Sequence, residues 1–104
     1  MVASELVDPA GLRTFLMNSD YTASAVYQAT RDAGLVVGRD VSVVGHDDIP
    51  TSGLLAPALT TIGFDRQAVG VLATETLLAP EARPRTVRVP VHLVVRDSVV
   101  DLRG

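Results

Sequence analysis

A short β-branched run that ends at a glycine is the feature that most constrains the fold of this chain. Residues 40–50 read Asp-Val-Ser-Val-Val-Gly-His-Asp-Asp-Ile-Pro, so the run 41–44 stops at Gly45, just before a polar cluster at 46–48. A short apolar run bounded by turn residues is typical of a buried strand in a parallel sheet. We therefore predict a strand over 41–44 that brings the polar cluster to a sheet edge.

A strand and a helix are predicted ahead of this run. Residues 13–17 form a second short apolar stretch, and residues 18–20, Asn-Ser-Asp, are all able to cap a helix. Residues 21–33 have helical periodicity, and Gly34 is placed to end the helix in a left-handed conformation. One face of this predicted helix carries four residues: Thr22, Val26, Ala29 and Ala33.

A strand, a helix and a second buried strand in this order predict a parallel β-α-β unit with a right-handed crossover. The predicted fold class is therefore α/β, a parallel sheet with flanking helices. Ligands of such sheets bind outside the carboxyl ends of the strands. We expect the polar residues after the two strands, 18–20 and 46–48, to meet at one edge of the sheet.

The second half of the chain continues with a strand and a helix. Residues 59–64 predict a short strand, and Asp65 is expected to cap a helix over 66–78. Gly70 inside this helix costs about 1 kcal/mol relative to alanine, which suggests a close approach by another element. The apolar stripe of the helix consists of Val69, Leu72, Ala73 and Leu77.

A last strand is predicted near the end of the chain. Residues 87–96 alternate between apolar and other residues with a period of two, which indicates a strand with one apolar face. Pro90 confines this strand to a sheet edge or splits it in two, because proline has no N–H for the ladder. His92 is expected on the solvent face.

Composition and motifs exclude several function classes. The chain has 9 basic and 12 acidic residues, with no lysine, so it lacks the clustered cations that phosphate binding needs. It has no cysteine, no glycine-rich phosphate loop and no Gly-x-Ser-x-Gly motif, so neither catalytic residues nor a cofactor are predicted. No apolar run reaches membrane-spanning length, and residues 1–5 do not resemble a signal peptide, so no membrane partner is expected.

Two segments of the chain resemble the C-terminal signature of the LacI/GalR family of bacterial transcription regulators. The family pattern is "DVSVVGFDDIP" followed by "PPLTTI", and here residues 40–50 are followed by Pro-Ala-Leu-Thr-Thr-Ile at 57–62. The sequence departs from the pattern at His46, where an aromatic residue is usual, and at Ala58, where a second proline is common. The resemblance covers about residues 14–98 and implies a regulator rather than an enzyme.

The resemblance implies a particular place for the chain in a larger protein. Residues 1–104 would be the C-terminal part of a periplasmic-binding-protein-like core, with 12–62 and 86–98 in its second lobe and the helix at 65–79 in its first. A helix-turn-helix headpiece outside this chain would bind DNA in the cytoplasm. A fragment of a periplasmic-type sugar receptor, serving a transporter, is the alternative that the resemblance leaves open.

The resemblance also implies residues that bind a small effector, a sugar or a related metabolite. Asp20 occupies the aspartate of the family's Asn-Asp pair, which contacts the effector; Ser19 replaces the asparagine, and Asn18 lies beside it. Phe64 matches a position that often lines the effector cleft. Helix capping alone stays open for Asp20, and ordinary core packing stays open for Phe64.

His46, Asp47 and Asp48 invite comparison with a metal site, but no metal is predicted. Consecutive residues on an extended segment point in opposite directions, and no further histidine or glutamate stands at a ligand spacing. In the family that the chain resembles, these acids cap and fix the turn after the strand.

A homodimer is predicted. In the LacI/GalR family the helix at 21–33 and the loop around residues 54–55 contribute to the dimer surface, which here implies Tyr21, Ala25, Leu54 and Leu55. Leu54 and Leu55 are both expected to be exposed. Whether the two protomers exchange elements is left open.

Overall fold

A computed structural model describes residues 13–81 and 85–103. These residues form a four-stranded sheet with one helix packed on it and a second helix that follows the third strand. The elements are β1 (Thr14–Leu16), α1 (Asp20–Asp32), β2 (Ser42–His46), a 3-10 turn (Pro50–Leu54), β3 (Thr60–Phe64), α2 (Arg66–Leu78) and β4 (Val91–Val94).

The strands lie in the order β1-β2-β3-β4, with the first three parallel and β4 antiparallel to β3. Leu16 pairs with Val44, and His46 pairs with Ile62, so β2 extends two residues past the predicted end of the apolar run. The predicted α/β class and the parallel pairing of β1 with β2 are confirmed.

Helix α1 spans Asp20–Asp32, one residue earlier at each end than the predicted 21–33, and Ser19 is the residue that caps it. The Ser19 side chain accepts a hydrogen bond from the Thr22 N–H at 3.1 Å, which satisfies one of the free donors of the first turn. At the other end Gly34 has a φ of 74°, and the Leu35 N–H donates to the Thr30 carbonyl.

The buried face of α1 differs from the predicted one at Thr22. Thr22 is exposed, and its hydroxyl donates to the Asn18 side chain at 2.8 Å, so it belongs to the capping turn rather than to the core. The residues of α1 that are buried are Asp20, Ala23, Val26, Tyr27, Ala29 and Thr30.

The core lies between α1 and one face of the sheet. Val26 and Ala29 of α1 pack there with Val43 of β2 and with Leu59, which precedes β3; all four are fully buried. The Tyr27 hydroxyl donates to the Pro57 carbonyl at 2.6 Å and so joins the helix to the loop before β3. A single small apolar cluster therefore holds α1 on the sheet.

Helix α2 has the predicted bounds but not the predicted neighbour at Gly70. Asp65 caps it by accepting from the Ala68 N–H at 2.9 Å. None of its residues is buried, and Leu77 is 79% exposed. A Cβ on Gly70 would meet nothing within 4 Å among the described residues, so the expectation of a close approach there is wrong.

Strand β4 starts directly after Pro90 and lies at the edge of the sheet. Proline has no N–H for a hydrogen bond between strands, so this position, outside the paired residues, tolerates it. His92 is exposed, as predicted. The apolar residues of this segment are also exposed: Val91, Leu93 and Val95 are 60, 61 and 74% exposed.

In the described part of the chain, no helix has the length and apolar character needed to cross a membrane.

Burial raises the pKa of Tyr27 to about 12, from 10.0 for an ordinary tyrosine. Because the pKa in the folded state is the higher one, the stabilising effect is fully present below pH 10.0 and is lost as the pH rises towards about 12. We expect the free energy of unfolding of the wild type to fall across this range, and that of Tyr27→Phe to fall less. Urea denaturation at a series of pH values measures both.

Tyr21→Phe is the matched control, because the Tyr21 side chain is 72% exposed and keeps its contact with water in the folded state. It should keep the pH dependence of the wild type. An equal alkaline loss of stability in Tyr27→Phe and in the wild type would contradict the assignment.

Candidate functional site

The carboxyl ends of β1, β2 and β3 lie at one edge of the sheet, because the three strands are parallel. Residues 18–20 follow β1, residues 47–48 follow β2, and Asp65 and Arg66 follow β3. The backbone N–H of Ile49, in the segment after β2, donates to the Asp20 carboxylate at 3.0 Å. The prediction that the polar groups after β1 and β2 share an edge is therefore confirmed.

Asp20 is buried, with 2% of its surface exposed. Its Oδ1 accepts from the Thr61 hydroxyl at 2.6 Å, and its Oδ2 accepts from the Ser52 hydroxyl at 2.5 Å and from the Ile49 N–H. Hydrogen bonds to an ionised acceptor are the strong ones, about 1.5–3 kcal/mol each. The carboxylate therefore ties the start of α1 to β3 and to the 3-10 turn.

Gly45 makes room for this carboxylate. A Cβ at residue 45 would overlap Oδ1 of Asp20 and would come within 3.0 Å of a Leu59 methyl carbon. The glycine that ends the β-branched run is therefore required by a side chain 25 positions away, which no local pattern in the sequence reveals.

The turn after β2 has an unusual backbone. Asp47 and Asp48 have φ values of 111° and 51°, a region that non-glycine residues seldom adopt. Asp48 pairs with Arg96 at 2.9 Å, and the same guanidinium donates to the Leu59 carbonyl at 2.9 Å. These contacts hold the turn, as the family resemblance led us to expect of the acidic residues.

Four partly exposed side chains lie together where β2 and β3 end, and we call them the rim: His46, Asp47, Phe64 and Arg66. His46 Nδ1 lies 3.0 Å from Asp47 Oδ1, and the His46 and Phe64 rings are tilted at 43° with centroids 6.3 Å apart. The Arg66 guanidinium lies 5.1 Å from the centroid of Phe64 and donates to the Asp47 carbonyl. The rim thus combines an aromatic ring with an acceptor carboxylate and two nitrogen-bearing groups.

The residues predicted to bind an effector do not all reach the surface. Asn18 is exposed, Ser19 is half-buried and caps α1, and Phe64 is half-buried in the rim. Asp20 is buried and both of its carboxylate oxygens accept hydrogen bonds, so direct contact with an effector would require it to give up a partner. Its predicted role as a ligand contact is not tested by these contacts and stays a prediction.

Sequence reasoning placed His46 and Asp47 at the edge of the sheet where ligands bind, but it named neither of them, nor Arg66, as an effector contact. A usable signal existed, because His46 and Asp47 follow one predicted strand and Arg66 follows the next one. Across residues 13–81 and 85–103, no three side chains of the metal-binding types are grouped closely enough to hold a metal ion.

The residues predicted for the dimer surface are exposed with one exception. Tyr21 and Leu54 are 72 and 82% exposed, and Ala25 is also exposed. Leu55 was expected to be exposed as well, but it is half-buried and packs against the core. The 3-10 turn ends at Leu54, and Leu55 follows it with an extended backbone.

An α/β sheet with polar groups at its strand ends is typical of proteins that bind small ligands. Comparison with known proteins identifies the family. Residues 2–99 match the family model of the periplasmic binding protein-like domain, and the chain belongs to that family. The resemblance to LacI/GalR regulators is confirmed by the relatives and solved structures to which the chain is similar.

Among the relatives, the chain is 40% identical over 91 residues to the transcriptional regulator MalR of Streptomyces coelicolor, covering 83% of this chain and 26% of that protein. It is 37% identical over 89 residues to the ribose operon repressor of Haemophilus influenzae, covering 82% of this chain and 27% of that protein. The chain spans about a quarter of the length of these curated relatives.

Solved structures give the same assignment. The lac repressor dimer bound to operator and the anti-inducer ONPF matches with a TM-score of 0.85 and 30% identity, covering 95% of this chain and 36% of that one. A LacI family regulator from Enterococcus faecium with bound ribose matches with a TM-score of 0.77 and 27% identity, covering 97% of this chain and 39% of that one.

The close approach of Gly45 to Asp20 predicts a coupled pair of substitutions. Gly45→Ala should lower the free energy of unfolding by about 1–3 kcal/mol, because its methyl group has to displace the carboxylate. In an Asp20→Ala background the same change should cost less, by about 0.5 kcal/mol or more, because the obstructing oxygen is gone. Urea denaturation of the four proteins in this cycle measures the difference.

Gly53→Ala is the control, because its Cβ would lie an ordinary 3.8 Å from the nearest Arg96 atom. Its effect should be the same in both backgrounds. Strict additivity of the Gly45 and Asp20 substitutions would show that the two residues are not in contact.

Proposed function

We propose that the chain is the C-terminal part of the effector-binding and dimerisation core of a LacI-type transcription regulator. The observation that carries this proposal is the meeting of three parallel strand ends at one edge, which brings a partly exposed rim and a buried carboxylate to the same end of the sheet. Such an edge is where open α/β sheets bind small ligands. The names of the relatives, repressors and regulators, support a regulatory role over a transport receptor and over an enzyme.

We place residues 12–62 and 86–98 in one lobe and the helix within 65–79 in the other. The exposure of α2 supports this division, since an amphipathic helix of a folded protein normally buries its apolar stripe. Val69, Leu72 and Ala73 of that stripe line an open groove together with Val87 and Val89. The larger protein would close its lobes around the effector at the rim.

The effector that we propose is a sugar or a related metabolite, contacted by Asn18, Ser19 and Phe64 together with Asp47. Asp20, the fourth predicted contact, would reach it only by exchanging one of its present hydrogen bonds. A carboxylate such as Asp47 accepts strongly from hydroxyl groups, and an aromatic ring such as Phe64 covers the less polar face of a sugar. The names of the similar structures support this class, because those proteins hold ribose, sucrose or glucose.

Dimerisation and DNA control complete the proposal. The dimer surface consists of Tyr21, Ala25 and Leu54, with Leu55 packed beneath it. A headpiece outside this chain would bind the operator in the cytoplasm, and effector binding would change its affinity through a coupling of about 1–3 kcal/mol, typical of allosteric proteins.

Effector binding is tested by adding D-ribose, D-glucose or sucrose to the 15N-labelled chain and following amide chemical shifts, which detect weak binding. We expect at least one sugar to shift the amides of the rim and of Asn18 and Ser19. Asp47→Asn should weaken that binding about tenfold, because one charge-assisted hydrogen bond is lost. Phe64→Ala should weaken it further in the same titration.

Asp32→Asn is the matched control, because Asp32 lies at the far end of α1 and accepts from Gln28 on the exposed surface. It should leave the affinity unchanged. Sugar-induced shifts that avoid the rim, or that persist at full strength in Phe64→Ala, would exclude the proposed site.

The dimer is tested by sedimentation velocity at micromolar concentrations. We expect the wild type to sediment as a dimer and Leu54→Asp to sediment as a monomer, because a charge in an apolar interface loses its hydration. Leu102→Asp, at a position 92% exposed and outside the dimer surface, is the control and should stay dimeric. A wild-type monomer would contradict this part of the proposal.

A further inference from the structure

Asp20 joins three segments that are far apart in the sequence. It is the first residue of α1, it accepts from Thr61 in β3, and it accepts from Ile49 and Ser52 around the start of the 3-10 turn. These partners are 29 to 41 residues away from it along the chain. One buried carboxylate is therefore the common point of a helix, a strand and a turn.

Each of these segments also reaches one of the two surfaces on which the proposed function depends. Thr61 lies three residues before Phe64 of the rim, on the same strand. Asp20 is followed directly by Tyr21 of the dimer surface, and the 3-10 turn ends at Leu54 of the same surface. The carboxylate is thus hydrogen-bonded to the strand that carries Phe64, and it belongs to the helix that carries Tyr21.

We propose that Asp20 is a positioning residue that couples the rim to the dimer surface. This inference rests on the proposed function for its biological meaning, but the coupling itself is a property of this chain. A change in the position of β3 at Phe64 moves Thr61, which moves the carboxylate, and α1 follows because Asp20 is part of its first turn.

The geometry leaves the carboxylate little freedom to absorb such a movement. It is buried, it accepts three hydrogen bonds, and its Oδ1 packs directly against the backbone at Gly45. A displaced oxygen would leave a buried donor without a partner, which is costly. Moving α1 and the 3-10 turn together with β3 keeps all three hydrogen bonds and is therefore the favoured response.

A second connection links the turn after β2 to the 3-10 turn. The residue whose chemical shift reports the coupling must therefore be one that this connection does not reach. Arg96 pairs with Asp48 and lies near Gly53, next to Leu54, without involving Asp20. Leu54 can therefore respond through either route. Tyr21, at the start of α1, is the reporter that follows the Asp20 route.

The test uses a substitution in the rim as its input, so it needs no effector. Phe64→Leu is made in the full chain, and the change in the Tyr21 amide chemical shift is measured by 1H–15N NMR. We expect a shift at Tyr21 in the wild-type background and its loss in Thr61→Val, which removes the hydroxyl that donates to Asp20. Thr61→Ser restores the hydroxyl and should restore the response.

Ser52→Ala is the matched control, because it removes another donor to the same carboxylate but leaves the link to β3 intact. The Tyr21 response should survive in this variant. A Tyr21 shift that is absent in the wild-type background, or that is equally large in Thr61→Val, overturns the proposal. Asp20→Asn is not needed for either result, so its failure to fold would not affect the test.

The outcome is separable from that of the proposed function. If no sugar binds at the rim and the Tyr21 response still depends on the Thr61 hydroxyl, the coupling stands and the effector assignment fails. If sugars bind at the rim but Thr61→Val leaves the Tyr21 response unchanged, the effector site stands and the role of Asp20 fails.

Discussion

The buried carboxylate of Asp20 is the interaction on which the arrangement of this molecule depends. Removing a carboxylate from water costs several kcal/mol even after the protein relaxes. Its three hydrogen bonds offset that cost, so the net stabilisation is modest. The larger consequence is geometric, because the start of α1, strand β3 and the 3-10 turn can satisfy this group only in one relative placement.

The same sheet is covered on one side only. Helix α1 and the core occupy one face, whereas Leu16, Leu93 and Val95 are 61 to 78% exposed. Parallel sheets are normally covered on both faces. The radius of gyration, 17.6 Å, also exceeds the roughly 13 Å of a compact chain of this length. Both facts agree with the proposal that this chain folds as part of a larger two-lobed protein.

Local signals made most of the elements predictable from sequence. The bounds of α2 follow from the Asp65 cap and the helical period, and the shared edge of β1 and β2 follows from parallel pairing. The burial of Asp20 could not be predicted, because its donors lie 29 to 41 residues away. The exposure of Thr22 and the burial of Leu55 likewise depend on which side of each segment faces the sheet.

The most direct test of the central contact is a hydrogen-bond scalar coupling measured by long-range HNCO NMR. A correlation between the amide nitrogen of Ile49 and the Cγ of Asp20 is expected, because the N–H donates to that carboxylate at 3.0 Å. The backbone pair from Asp47 N to Ile62 O, at 2.8 Å, serves as the internal reference. A clear reference correlation with none between Ile49 and Asp20, together with rapid exchange of the Ile49 amide, would contradict the account.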